Sequence, residues 1–287
     1  MIERDVGLAD GRSLHVYDLG GEGFPVVWHH GTPNVGAPPA PLFPVAERLG
    51  LRWIGYDRPG YGGSTPRPGR DIASAAGDVA SVADALGLDR FGVMGHSGGS
   101  PHALACAALL PGRVPAAVVM SGMAPQGADG LDWFAGMADG SAASFRAALA
   151  GRAAKEQFEA LNDDDRDIGF APADEAALQS DWAWVMDVVK PAVEAGPAAQ
   201  IDDDLAYVTA WGFEVAQVRV PVLVVHGGID RMLPPSHGRW LAEHLERGEL
   251  WLREEEGHVS LLHAAGDALT WLAQRLVGHE DAEERHM

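Results

Sequence analysis

The stretch Phe91-Gly92-Val93-Met94-Gly95-His96-Ser97-Gly98-Gly99 runs from a short apolar segment into a serine flanked by glycines, and an Ala/Leu-rich segment, Ala103 to Leu110, follows it. An apolar strand entering G-x-S-x-G, with a helix leaving it, is the setting in which a serine can be presented as a nucleophile. The turn has to be sharp. It places the serine in a strained backbone conformation and brings neighbouring turns together, so glycines two residues to either side prevent a clash. Ser97 is then expected to stand above the sheet edge, with the next helix starting beneath it and offering free N–H groups and a positive dipole end. The competing reading is a serine that only makes a turn.

Working outward, β-branched or aromatic runs alternate with Ala-rich stretches over the first 122 residues, a βαβ rhythm that implies a mostly parallel sheet flanked by helices. Strands are predicted at Ser13 to Leu19, Pro25 to His29, Arg52 to Asp57, Arg90 to Gly95 and Ala116 to Met120, with helices at Asp71 to Leu86 and Pro101 to Leu110. The rhythm returns after residue 218: strands at Pro221 to His226 and Glu249 to Leu252, and helices at Pro235 to Leu245 and Val259 to Leu276. Residues 278–287 read as a charged, mobile tail. Between the two blocks, residues 123–217 carry no comparable strands, and Leu178, Trp182, Val185 and Val189 mark one helix face. The division predicted is therefore a core of 1–122 with 218–277 and a helical insertion over 123–217.

The chain has 287 residues, 47% of them hydrophobic and 22% charged, which excludes a disordered chain. The longest apolar run is far shorter than the ~20 residues of a bilayer span, and the start Met-Ile-Glu-Arg-Asp has no signal-peptide stretch, so a soluble cytoplasmic protein with no membrane insertion is expected. Cys106 is the only cysteine, which rules out an intramolecular disulfide and a cysteine-based zinc cluster. With 41 acids against 21 bases the formal charge is −20, repelling nucleic acid rather than attracting it. Residues 123–217 hold 18 of the acids and 5 of the bases. Within them, Asp163 to Asp165 and Asp202 to Asp204 read as solvated turns or helix starts, with no partner ligands for a metal beside them.

A serine hydroxyl is scarcely ionised at neutral pH and needs a base within reach, with an acceptor that fixes the base's tautomer. Of twelve histidines, His258 lies between the short strand near Leu250 and the last helix, in a loop that can reach the carboxyl ends of the strands; His263 falls inside that helix. Gly227-Gly228-Ile229-Asp230 leaves the strand Val222 to Val225 and puts Asp230 at the same edge. The chain order Ser97, Asp230, His258 is the nucleophile–acid–base order of one fold class.

Residues 13–122 and 218–277 resemble an α/β-hydrolase of the esterase, epoxide-hydrolase and proline-iminopeptidase type. The resemblance rests on His30-Gly31-Thr32-Pro33, on Tyr56-Asp57-Arg58-Pro59-Gly60-Tyr61-Gly62 and on Gly95 to Gly99. It implies that the H-G-x-P loop and the residue after the nucleophile supply an oxyanion hole, here the backbone N–H groups of Thr32 and Gly98. It also implies that Asp57 and Arg58 form a structural pair holding their loop, that His29 and His30 fix theirs, and that the helical segment is a cap inserted after the sixth strand. Epoxide hydrolases and haloalkane dehalogenases carry aspartate where Ser97 stands, which disfavours both chemistries. Proline iminopeptidases have H-G-G-P-G and G-G-S-W-G, whereas this chain has Thr32, Asn34, His96 and Gly98 at the differing places.

The expected function is a serine hydrolase that cleaves a carboxylic ester or related acyl compound with an apolar moiety, through an acyl-enzyme. The same three residues would also suit an aminopeptidase, a thioesterase or a C–C bond hydrolase, and the scaffold would suit a ligand-binding receptor with little turnover. The partner is a small acyl molecule. No P-loop, H-E-x-x-H, CxxC or dinucleotide fingerprint is present, so no cofactor or metal is implied, and no oligomeric state follows. Candidate pocket residues are the aromatics Trp133, Phe134, Trp182, Trp184, Trp211 and Phe213, with Met123, Met137 and Met232.

Overall fold

In the computed structural model, which describes residues 1–161 and 166–283, eight strands form one sheet in the order β1-β2-β4-β3-β5-β6-β7-β8. They are β1 Ile2–Gly7, β2 Ser13–Asp18, β3 Phe24–His29, β4 Leu51–Tyr56, β5 Gly92–His96, β6 Ala117–Met120, β7 Val222–Gly227 and β8 Gly248–Arg253. β1 pairs antiparallel with β2, and β2 with β4; every other pairing is parallel. The sheet is the mostly parallel one expected, with one strand more. β1 carries no apolar alternation because it lies at the sheet edge with only Val6 buried, so nothing in its sequence announces it.

The helices are α1 Phe43–Arg48, α2 Ser74–Ala85, α3 Gly99–Leu109, α4 Asp139–Leu149, α5 Arg152–Ala160, α6 Pro172–Leu178, α7 Trp184–Glu194, α8 Ala198–Val208, α9 Pro235–His244 and α10 Ala265–Glu283. Successive strand residues alternate between two cores, as the two-residue period of a strand requires. Val27, Ile54 and Val93 pack with α2, α3 and α9 on one face; Val26, Trp53 and Met94 pack with α1 and α10 on the other. The helix expected from Asp71 starts at Ser74, whose backbone N–H donates to the Asp71 carboxylate at 2.9 Å. The helix expected from Val259 begins instead with a 3-10 turn, Ser260–Ala264, and α10 continues to Glu283. The tail expected over 278–287 is thus helical to that point, and residues 284–287 lie outside those described.

Between β6 and β7 the described residues form five helices, α4 to α8. Leu178, Trp182, Val185 and Val189 do not share one helix: α6 ends at Leu178 and α7 starts at Trp184. A turn explains the break. Trp182 and Trp184, two residues apart, both reach the core on the α10 side, with their rings 6.4 Å from each other, and one continuous helix would point them to different sides.

Asp202 to Asp204 correct a second expectation. They are neither solvated nor at a helix start but buried in the middle of α8, while Asp163 to Asp165 lie outside the described residues. Asp203 accepts from Arg58 (Nη2 to Oδ2 2.6 Å, Nε to Oδ1 3.3 Å), from Arg70 Nη2 at 2.7 Å and from the Tyr61 hydroxyl at 2.9 Å. Burial alone would raise its pKa; the two guanidinium groups hold it well below the ordinary carboxylate value. Arg58 therefore pairs with α8 and not with Asp57, as had been expected. Asp57 does hold its loop, by accepting the backbone N–H groups of Gly36 at 2.6 Å and Gly63 at 2.9 Å. His30 is also a loop-fixing residue: its Nδ1 donates to the Gly31 carbonyl at 2.8 Å, and its Nε2 accepts the Arg58 N–H at 3.0 Å.

Removing one member of a buried ion network leaves the others desolvated without compensation. Asp203→Ala is expected to lower stability by about 3–5 kcal/mol in urea unfolding; a loss within about 0.5 kcal/mol, the range of an ordinary surface substitution, would contradict the network's role.

Candidate active site

Ser97 occupies the turn between β5 and α3 with φ 53°, the left-handed conformation anticipated from the motif. Its backbone N–H is tied to the Met120 carbonyl on β6 at 2.8 Å. The flanking glycines are sterically required. A Cβ on Gly95 would lie 2.5 Å from the Gly99 carbonyl oxygen, and one on Gly99 would lie 1.9 Å from that of His29. The turn therefore packs directly against its neighbours, and Ser97 is raised at the carboxyl ends of the parallel strands.

Two other loops at that edge complete the arrangement. Asp230 follows β7 and His258 follows β8. His258 Nε2 lies 2.8 Å from Ser97 Oγ, and its Nδ1 lies 2.8 Å from Asp230 Oδ2. All three side chains are buried. A carboxylate only accepts, so Nδ1 carries the proton it donates, leaving Nε2 free to accept from the Ser97 hydroxyl. Asp230 is itself held by the N–H groups of Met232 and Leu233, each 2.9 Å from Oδ1. The structure thus brings Ser97, His258 and Asp230 into one hydrogen-bonded line.

The electrostatics follow from burial and neighbours. Burial would push the His258 imidazole down, but the charge and hydrogen bond of Asp230, with a further contribution from Asp174, raise it above its ordinary value. Burial would raise Asp230; His258 lowers it. His96, the residue before Ser97, is pushed down to about 4 by burial, with His258 adding to the shift, and it donates through Nε2 to the His258 carbonyl at 3.0 Å. The Ser121 hydroxyl donates to the same carbonyl at 3.3 Å.

Thr32 and Gly98 come together beside Ser97. A Cβ on Gly98 would lie 2.6 Å from Thr32 Oγ1 and 2.3 Å from the Tyr207 hydroxyl. Thr32 Oγ1 accepts from Arg58 Nη2 at 2.8 Å and donates to Asp203 Oδ2 at 2.7 Å. The Tyr207 hydroxyl touches Thr32 Oγ1 at 2.7 Å and the Gly98 carbonyl oxygen at 3.0 Å. Side chain and carbonyl are thus engaged while the backbone N–H groups of Thr32 and Gly98 have no protein acceptor among the described residues, the condition for donors to an incoming oxyanion.

A cavity of about 190 Å³ opens over Ser97, Gly98 and Thr32. Met123 and Met232, two of the expected pocket residues, line it. The expected aromatics do not. Trp133 packs edge-on against Phe145 and His237, Trp182 and Trp184 belong to the core on the α10 side, and Trp211 and Phe213 pack in the other core. Phe134 and Met137 also pack against that core, and Met137 was likewise expected to line the cavity. The insertion contributes Phe145, Phe158, Ile168 and Tyr207 instead, with Glu159 and Asp204 at the polar part of the wall. Burial raises the pKa of Asp204 to about 6 even though Lys155 Nζ sits 2.7 Å from its Oδ2. Tyr207 stands four residues after Asp203, on the same face of α8, a spacing that points to the site only once Asp203 is known to be buried. Among the described residues, no group of three or more His, Cys, Asp or Glu side chains is arranged to hold a metal ion.

Residues 25–265 match the family described as alpha/beta hydrolase fold, and the chain belongs to that family. It is 31% identical over 240 residues to a non-heme chloroperoxidase of Streptomyces lividans, covering 80% of this chain and 83% of that protein. It is 26% identical over 253 residues to a pimeloyl-[acyl-carrier protein] methyl ester esterase of Nitrosomonas europaea, covering 87% and 94%. Among solved structures, a bromoperoxidase from Bacillus anthracis superposes with a TM-score of 0.73 at 22% identity, over 96% of this chain and 99% of that one, a likeness of fold. No helix among the described residues is long and apolar enough to cross a membrane.

The raised pKa of His258 can be read directly. Its ring protons should titrate above the ordinary value of 6.5 by NMR, and Asp230→Asn should move the midpoint down, since the carboxylate favours the imidazolium. A midpoint unchanged by that substitution would contradict the electrostatic coupling.

Proposed function

We propose that this alpha/beta hydrolase is a serine hydrolase acting on a small carboxylic ester, with Ser97 as nucleophile, His258 as general base and acid, and Asp230 as the group that orients and stabilises the imidazolium. The observation that carries the reading is the pair of 2.8 Å contacts flanking His258. Nε2 takes the Ser97 proton as Oγ attacks the carbonyl carbon, and the tetrahedral oxyanion is met by the N–H groups of Thr32 and Gly98. His258 then returns that proton to the departing alkoxide. Water deprotonated by His258 attacks the acyl-enzyme, and collapse of the second intermediate releases the acid and restores Ser97.

The cavity supports the choice of substrate. At about 190 Å³ it is below the ~300–1,000 Å³ usual for drug-sized ligands, so a short acyl or alcohol part fits it, against the apolar wall of Phe145, Phe158 and Ile168. The helical segment 123–217 serves as the cap that shapes this space. An esterase among the relatives agrees with ester cleavage. Thioesters and amides are separated from esters by assaying the three substrate classes side by side, because the attacking residues are shared and only the pocket differs.

Ser97→Ala is expected to lower turnover of a p-nitrophenyl ester by about 10⁴-fold or more while leaving the fold intact; turnover at the wild-type rate would remove Ser97 from the mechanism. Only the neutral imidazole is a base, so kcat/KM should fall as pH drops through the pKa of His258, which lies above its ordinary value of 6.5. A profile flat from pH 5 to 8 would contradict a histidine base.

A further inference from the structure

Asp174 is a fully buried carboxylate in the first turn of α6, within the helical insertion. Its Oδ2 accepts the backbone N–H of Ala171 at 2.8 Å and so closes the start of its own helix. Oδ1 does something else. It accepts the backbone N–H groups of Val259 and Ser260, each at 2.8 Å, the two residues that follow His258. On the other side of His258, Gly257 packs against the same carboxylate so closely that a Cβ there would lie 2.2 Å from Oδ2. In a capping box the N3 carboxylate accepts one backbone N–H of its own helix, that of the N-cap residue, here Ala171. Two of the three hydrogen bonds to Asp174 instead leave the insertion and grip the loop that carries the imidazole.

We propose that Asp174 is a positioning residue for His258: by holding the backbone of residues 257–260 it keeps the imidazole between Ser97 and Asp230, and it places a second negative charge near the imidazolium. This rests on His258 being the base. Because the carboxylate belongs to the cap, the cap takes part in the chemistry as well as in shaping the pocket. The titratable groups that face His258 are Asp230 after β7, His226 on β7, His96 on β5 and Asp174 on α6. Burial pushes His96 down to about 4 and His226 below its ordinary value, and the interactions that favour the imidazolium come from Asp230 and Asp174.

The test is Asp174→Asn in the full chain, assayed on a p-nitrophenyl ester with kcat, KM and the pH profile of kcat/KM measured beside the unfolding transition. Asp174 does not line the cavity, so KM should stay within about twofold, whereas kcat should fall about tenfold, because the amide offers one acceptor oxygen where the carboxylate offers two and holds the His258 loop less firmly. Removing the negative charge disfavours the imidazolium, so the acidic limb should move to lower pH by about half a unit. A limb that coincides with the wild type, whether kcat is unchanged or falls only with the folded fraction, would overturn the proposal and leave Asp174 a helix-start residue. Should the Asn variant not fold, Asp174→Ser keeps one acceptor oxygen without charge and is read the same way. Failure of the serine mechanism is distinguishable, because it would appear as an active Ser97→Ala.

Discussion

The hydrogen bond from His258 Nδ1 to Asp230 Oδ2, at 2.8 Å, is the constraint on which the rest of the site depends. It decides which ring nitrogen carries the proton, and therefore that Nε2 faces Ser97 as an acceptor. It also offsets the penalty of burying an imidazolium, which would otherwise drive the ring's pKa down. Without that carboxylate the hydroxyl and the imidazole could lie just as close with the wrong tautomer between them. The sheet supplies the geometry: β5, β7 and β8 end at one edge, and the three residues leave from those ends.

Charge in the helical insertion supports this arrangement from two directions. Asp203 and Tyr207 on α8 reach the Thr32 loop and the Gly98 carbonyl, tying the backbone that would meet an oxyanion to a buried pair of arginines. Asp174 on α6 reaches the loop of His258. The acid excess of residues 123–217 is therefore partly structural. Asp203 and Asp204 are buried and paired with cations, Asp174 is buried and held by backbone N–H groups, and each lies against a part of the site or its pocket wall.

The features readable in the sequence were those set by local rules. The G-x-S-x-G turn requires glycine for steric reasons, so Ser97 and its strained φ were readable; apolar runs marked the central strands; and chain order with loop position pointed to Asp230 and His258, which lie within hydrogen-bond distance of each other and, for His258, of Ser97. The edge strand β1 escaped because an exposed edge needs no apolar pattern. The buried aspartates of α8 were misread because a run of three acids looks solvated until its arginine partners, more than 130 residues away in sequence for Asp203, are folded against it. The cavity wall was misread for a related reason: tryptophan is large enough to be taken up by either core, and smaller aromatics on α4 and α5 line the space that remains.

Mass spectrometry of the Ser97 peptide tests the central claim most directly, after brief reaction of the intact protein with a fluorophosphonate or with an ester quenched in acid. The expected result is one covalent adduct on Ser97, with labelling strongly slowed in His258→Ala. Ester turnover with no adduct on Ser97, or labelling at the same rate without His258, would contradict it.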